Sequence, residues 1–178
     1  MTIKNEANGD AIDVLRGEQR SIQSLFSRYR KFKPGALASA GKMKLLQKIC
    51  AALSVHIRTQ QELLLPALRE AENAEPLPDG AVVRNAAILR LAEELQHVKS
   101  DDELVDAKMK VLAEYVQSDI DQSESELFPR TRQAGVDLRA LGDQISVRKA
   151  ELASIKPTAA LASGVRRASG NEPVPARS

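Results

Sequence analysis

Four stretches of this chain repeat apolar residues at helical spacing, and each apolar seam is broken by polar residues. The first seam reads Ile12, Leu15, Gln19, Ile22, Phe26, Tyr29, and the second reads Leu46, Ile49, Leu53, His56, Gln60, Leu63, Ala67. The third is Val82, Asn85, Leu89, Ala92, and the fourth is Val105, Met109, Leu112, Val116, Asp119, Ser123. Steps of three and four place each set on one face of an α-helix. The breaks therefore point inward with their neighbours, where a polar group left without a partner costs about 1–3 kcal/mol.

Local signals bound these helices. Asp10 is an N-cap for a first helix reaching about residue 30, and Lys33-Pro34-Gly35 is a breaker. A second helix spans about 41–73. The turn at 74–79 supplies Asp79 as the cap of a third, which runs to about residue 98. Ser100-Asp101-Asp102 precedes the fourth, and Phe128-Pro129 marks its approximate end. A fifth helix, about 134–154, carries Val136, Leu138, Leu141, Ile145 and Val147 with no polar break. Aromatic residues make up 3% of the chain and Trp is absent, while Ala, Leu and long charged residues dominate, which suits helices. The expected fold is all-α: an antiparallel up-down four-helix bundle with an additional C-terminal helix. Residues 1–9 read as an arm and 10–156 as the bundle. From Pro157 onward the composition is Ala, Ser, Gly, Pro and Arg without periodicity, so 157–178 reads as a disordered tail.

In an antiparallel bundle, residues equally far from a shared turn lie at equal depth. Gln19 precedes the first turn by about 11 residues and His56 follows it by about 15, at about 1.5 Å each. Asn85 and Asp119 lie about 14 and 17 residues from the third turn. Gln19, His56, Gln60, Asn85, Asp119 and Ser123 are thus expected in one layer. His97 lies three turns beyond Asn85 and is excluded from it.

Charge and motifs exclude several functions. The net charge is +2, and the tail holds Arg166, Arg167 and Arg177 against Glu172, so the body is close to neutral. Without a basic stripe and interleaved aromatics, nucleic acid is not an expected partner. No apolar run reaches membrane length and the N-terminus is polar, which reads as cytoplasmic. Cys50 is a lone cysteine in an apolar run, expected to be buried. No Ser-His-Asp or Cys-His arrangement and no Gly-rich phosphate loop points to an enzyme. Arg28, Arg30, Lys31 and Lys33, like Glu93 and Glu94, read as solvated charge. Arg166-Arg167-Ala168-Ser169 is a weak match to a basic-directed phosphorylation site.

Segments 10–20, 49–56 (Ile-Cys-Ala-Ala-Leu-Ser-Val-His), 63–71 (Leu-Leu-Leu-Pro-Ala-Leu-Arg-Glu-Ala), 106–112, 126–129 (Glu-Leu-Phe-Pro) and 137–142 together resemble the bacterial hemerythrin-like family, or HHE cation-binding domain. The resemblance covers about residues 10–154. It implies a diiron centre held by His on the first helix, His-x-x-x-Glu on the second, His on the third and His-x-x-x-Glu on the fourth. At those positions this chain has Gln19, then His56 and Gln60, then Asn85 after Arg84, then Asp119 and Ser123. Both bridging carboxylates are replaced, at Gln60 and Ser123. The expectation is a protein with no catalytic residue and no cofactor, whose layer is a hydrogen-bonded network with His56 bonded to Gln60 or Asp119. A His56–Asp119 pair would then respond to pH as a unit. Such a protein would act as a structural, regulatory or partner-binding module for an unknown protein partner. The alternative is a residual iron or zinc site on His56 and Asp119, serving cation or oxygen-species binding.

Overall fold

The computed structural model describes residues 9–33, 40–72, 79–99 and 102–154. Helix α1 is Ala11–Tyr29, and Asp10 caps it, its carboxylate accepting from the backbone N–H groups of Ile12 at 2.9 Å and Asp13 at 3.0 Å. Helix α2, Ala40–Thr59, continues through a π-helical turn, Gln60–Leu64, into α3, Leu65–Ala71. Helix α4 is Asp79–Gln96. Helix α5, Val105–Gln122, likewise passes through a π-helical turn, Ser123–Leu127, into α6, Phe128–Gln133. Helix α7 is Leu138–Ser154. The rods 11–29, 40–71, 79–96 and 105–133 form the four-helix bundle, and α7 packs across α1 and α2.

The two π-turns share a cause. In each, a backbone N–H bonds five residues back, Leu65 to the Gln60 carbonyl and Phe128 to that of Ser123. Pro66 and Pro129 follow directly. Proline lacks the N–H for an i−4 bond and its ring crowds that carbonyl, so a loosened turn ahead of it lets the helix continue. Phe128-Pro129 is therefore not the end of the fourth rod, which runs on to Gln133. The inserted residue also shifts the second seam, so Leu64 and Leu68 are buried and the expected Leu63 and Ala67 are half-buried.

The seam of α4 is also displaced. Val82 is 47% exposed and Leu89 is half-buried, while Ala81, Asn85, Ile88, Ala92 and Leu95 face inward. Apolar residues almost encircle this helix, so spacing alone did not select its buried face. Helix α7 begins at Leu138 rather than 134, because Gly135 takes φ 75° and Asp137 accepts from the Ala140 N–H at 3.0 Å. Its Val147 is exposed, whereas Leu141, Ile145 and Leu152 are buried.

The core is divided in two. One apolar cluster includes Ile22, Phe26, Leu46, Leu53, Ile88 and Leu112, and the other includes Ile12, Leu15, Leu64, Leu68, Phe128 and Ile145. The polar breaks lie between them along the first, second and fourth rods, while α4 contributes only to the first cluster, beyond Asn85. Among the described residues no helix is long and apolar enough to cross a membrane. The Pro34-Gly35 breaker, most of the 74–79 turn, Ser100-Asp101, all but the last residue of the 1–9 arm and the 157–178 tail with its Arg-Arg-Ala-Ser motif lie outside the described residues.

Candidate functional site

Gln19, His56, Gln60, Asn85, Asp119 and Ser123 are all buried, none more than 5% exposed. Gln19 comes from α1, His56 from α2, Asn85 from α4 and Asp119 from α5, while Gln60 and Ser123 open the two π-turns. The layer has two unlike halves.

The bonded half centres on His56. Its Nδ1 lies 2.7 Å from Glu18 Oε2 and its Nε2 lies 2.8 Å from Gln60 Nε2. A carboxylate accepts only, so Nδ1 donates to Glu18, and Nε2 pairs with the Gln60 amide. Glu18 is 6% exposed, and Lys149 Nζ of α7 approaches its other oxygen, Oε1, at 3.2 Å as a charge contact. Burial alone would raise the Glu18 carboxyl, but the His56 hydrogen bond with the charges of His56 and Lys149 outweighs it and holds the pKa below its ordinary value. Glu18 was not anticipated from the sequence. The signal was present, since Ala11, Leu15, Glu18 and Ile22 step by four, three and four and are all buried. Of the two partners expected for His56, Gln60 is bonded and Asp119 is not, because Glu18 occupies Nδ1 and Gln60 occupies Nε2.

The other half has few partners. Asn85 is 1% exposed and neither of its amide atoms is hydrogen-bonded, and Gln19 Nε2 is likewise buried and unpaired. Arg84, next to Asn85, turns its guanidinium toward the layer, with Nε 3.9 Å from Asp119 Oδ1. That contact is too long for a hydrogen bond, and Arg84 Nε and Nη2 are buried without an acceptor. Burial raises the Asp119 pKa, and the opposing charges of His56 and Arg84 do not offset it. Within the protein the layer thus pairs His56 with Gln60 and Glu18, while Gln19 Nε2 and the Asn85 amide bond to no protein atom.

The remaining sequence candidates lie elsewhere. His97 is exposed at the end of α4, with Nδ1 3.0 Å from the Glu93 carbonyl oxygen. Cys50 is buried, and burial pushes its thiol pKa up to about 12.

The model of the hemerythrin HHE cation binding domain matches residues 10–131. The chain belongs to that family. A crystal structure of a hemerythrin HHE cation binding domain-containing protein from Mycobacterium kansasii superposes with a TM-score of 0.68 at 17% identity, covering 81% of this chain and 87% of that one. At that identity the likeness speaks for the fold. No curated protein matches the chain.

The side chains of this hemerythrin-like layer do not fit a pair of metal ions. Among the described residues no three His, Cys, Asp or Glu side chains group closely enough to hold a metal. A carboxylate on the far nitrogen is the usual support of a metal-binding histidine, and Glu18 stands in that position. The nitrogen left to face a metal, Nε2, is taken by Gln60. Gln, Asn and Ser supply neutral, weak donors, and Arg84 brings a permanent positive charge to the only layer carboxylate on α5.

Proposed function

We propose that this hemerythrin-like chain does not hold a diiron centre and serves as a non-enzymatic structural, regulatory or partner-binding module in the cytoplasm. The observation that carries this reading is Arg84 Nε lying 3.9 Å from Asp119 Oδ1, beside a His56 whose two ring nitrogens are both engaged. Dications would meet a fixed guanidinium and lack the bridging carboxylates that offset their mutual repulsion. The same engagement of His56 weakens the alternative of a lone iron or zinc on His56 and Asp119.

The test is iron and zinc content after expression in metal-supplemented medium. No stoichiometric metal is expected, since Gln, Asn and Ser are weak neutral donors. One or two tightly bound metals per chain would sink the reading. As a positive control, the combined variant Gln19→His, Gln60→Glu, Arg84→Glu, Asn85→His, Asp119→His and Ser123→Glu should gain iron.

A further inference from the structure

We propose that the unpaired half of the layer binds a small inorganic monoanion between the Arg84 guanidinium and the side-chain amides of Asn85 and Gln19. This deepens the metal-free reading and rests on it.

Buried hydrogen-bonding capacity comes first. Arg84 Nε, Arg84 Nη2, Asn85 Nδ2 and Gln19 Nε2 are four buried N–H-bearing atoms without an acceptor. Such groups are almost always paired in proteins, to protein, water or ligand. Turning the Asn85 amide over does not help, because its oxygen is equally unpaired. Donors dominate this half of the layer, and an acceptor carrying negative charge is the species that answers several at once.

Charge points the same way. Glu18 is answered by Lys149 and by the proton on His56 Nδ1. Arg84 has Asp119 at 3.9 Å and no hydrogen bond, and a guanidinium keeps its proton throughout the working pH range. A partly buried, imperfectly paired cation is costly, and an anion within reach relieves that cost. The Asp119 carboxylate opposes an anion, but four unpaired donor atoms stand against it. A cation is disfavoured because it would have to share the site with Arg84. A neutral solute could use the amides but would add no charge to the long Arg84–Asp119 contact.

Chloride is the probe. The full-length protein is titrated with chloride replacing gluconate at constant ionic strength, following the excess 35Cl NMR line width and the thermal midpoint. The parent should show saturable broadening and a rising midpoint, as a ligand of the folded state requires. Arg84→Gln and Asn85→Asp should each weaken the response at least tenfold. Should one variant fail to fold, the other still decides the matter. An unresponsive parent, which is what water alone in the layer would give, overturns the proposal. So does an undiminished response in a folded variant. Metal analysis of the same sample separates the two readings. A metal-free, chloride-silent protein defeats the anion site alone, whereas a metal-loaded one defeats the metal-free reading itself.

Discussion

Glu18 Oε2 accepts from His56 Nδ1 at 2.7 Å across two helices, and Lys149 reaches the other carboxylate oxygen from a third. One acidic residue thereby joins α1, α2 and α7 at the level where the core changes from apolar to polar. Because Glu18 is buried and its partners favour the charged form, the contact is linked to pH.

Replacing Glu18 with Gln is expected to lower stability by about 1–3 kcal/mol at pH 7, the usual penalty when a buried polar group loses its partner. The folded-state pKa of Glu18 lies below its unfolded value. Its contribution is therefore complete above the ordinary Glu pKa, about 4.3, and is lost as pH falls through the folded value. Urea melts of parent and variant should converge in acid. A constant gap from pH 7 down through pH 3 would contradict the assignment.

Asp119→Asn should act in the opposite direction. Burial raises the Asp119 pKa, so the ionised carboxylate opposes folding once the pH exceeds the ordinary Asp value, about 3.9. The variant should be more stable than the parent at pH 7, and the gain should fade as pH falls below that value. Thermal midpoints across pH 3–8 provide the check.

Gly142 lies where α7 crosses the start of α1. A Cβ there would stand 2.9 Å from the Ala11 backbone nitrogen and 3.1 Å from both the Asp10 carbonyl carbon and the Gly9 carbonyl oxygen. These are backbone atoms and cannot swing aside. Gly142→Ala should cost about 1–3 kcal/mol, as overpacking does, and should speed proteolysis or hydrogen exchange in α7 more than in α4.

Cys50 should be chemically silent in the native state. Its thiol is buried and its pKa is pushed up to about 12, so almost no thiolate is present at pH 8. A disulfide reagent should react at least tenfold faster in denaturant than in buffer. Equal rates would mean that α2 opens readily.

The seams of α1 and α5 were legible because each has one apolar face, and Ile12 through Tyr29 and Val105 through Ser123 are buried at the expected positions. The seam of α2 was legible to Gln60 and no further, since a π-turn is not signalled by periodicity, although Pro66 hinted at an irregularity. In α4, the expected seam opened on Val82, which is in fact exposed.

From the sequence alone came the helical class, the bundle and the six polar breaks at one depth, because helical spacing and turn residues are local properties. Tertiary structure decided who partners whom. His56 was expected to meet Gln60 or Asp119, and it meets Gln60 and Glu18, because the crossing of α1 over α2 brings a residue one step before Gln19 onto the imidazole. Lys149 and Arg84 enter from α7 and α4 for the same reason. A hydrogen bond depends on a few tenths of an ångström and on angle, and those are fixed by how helices cross, which no single helix records.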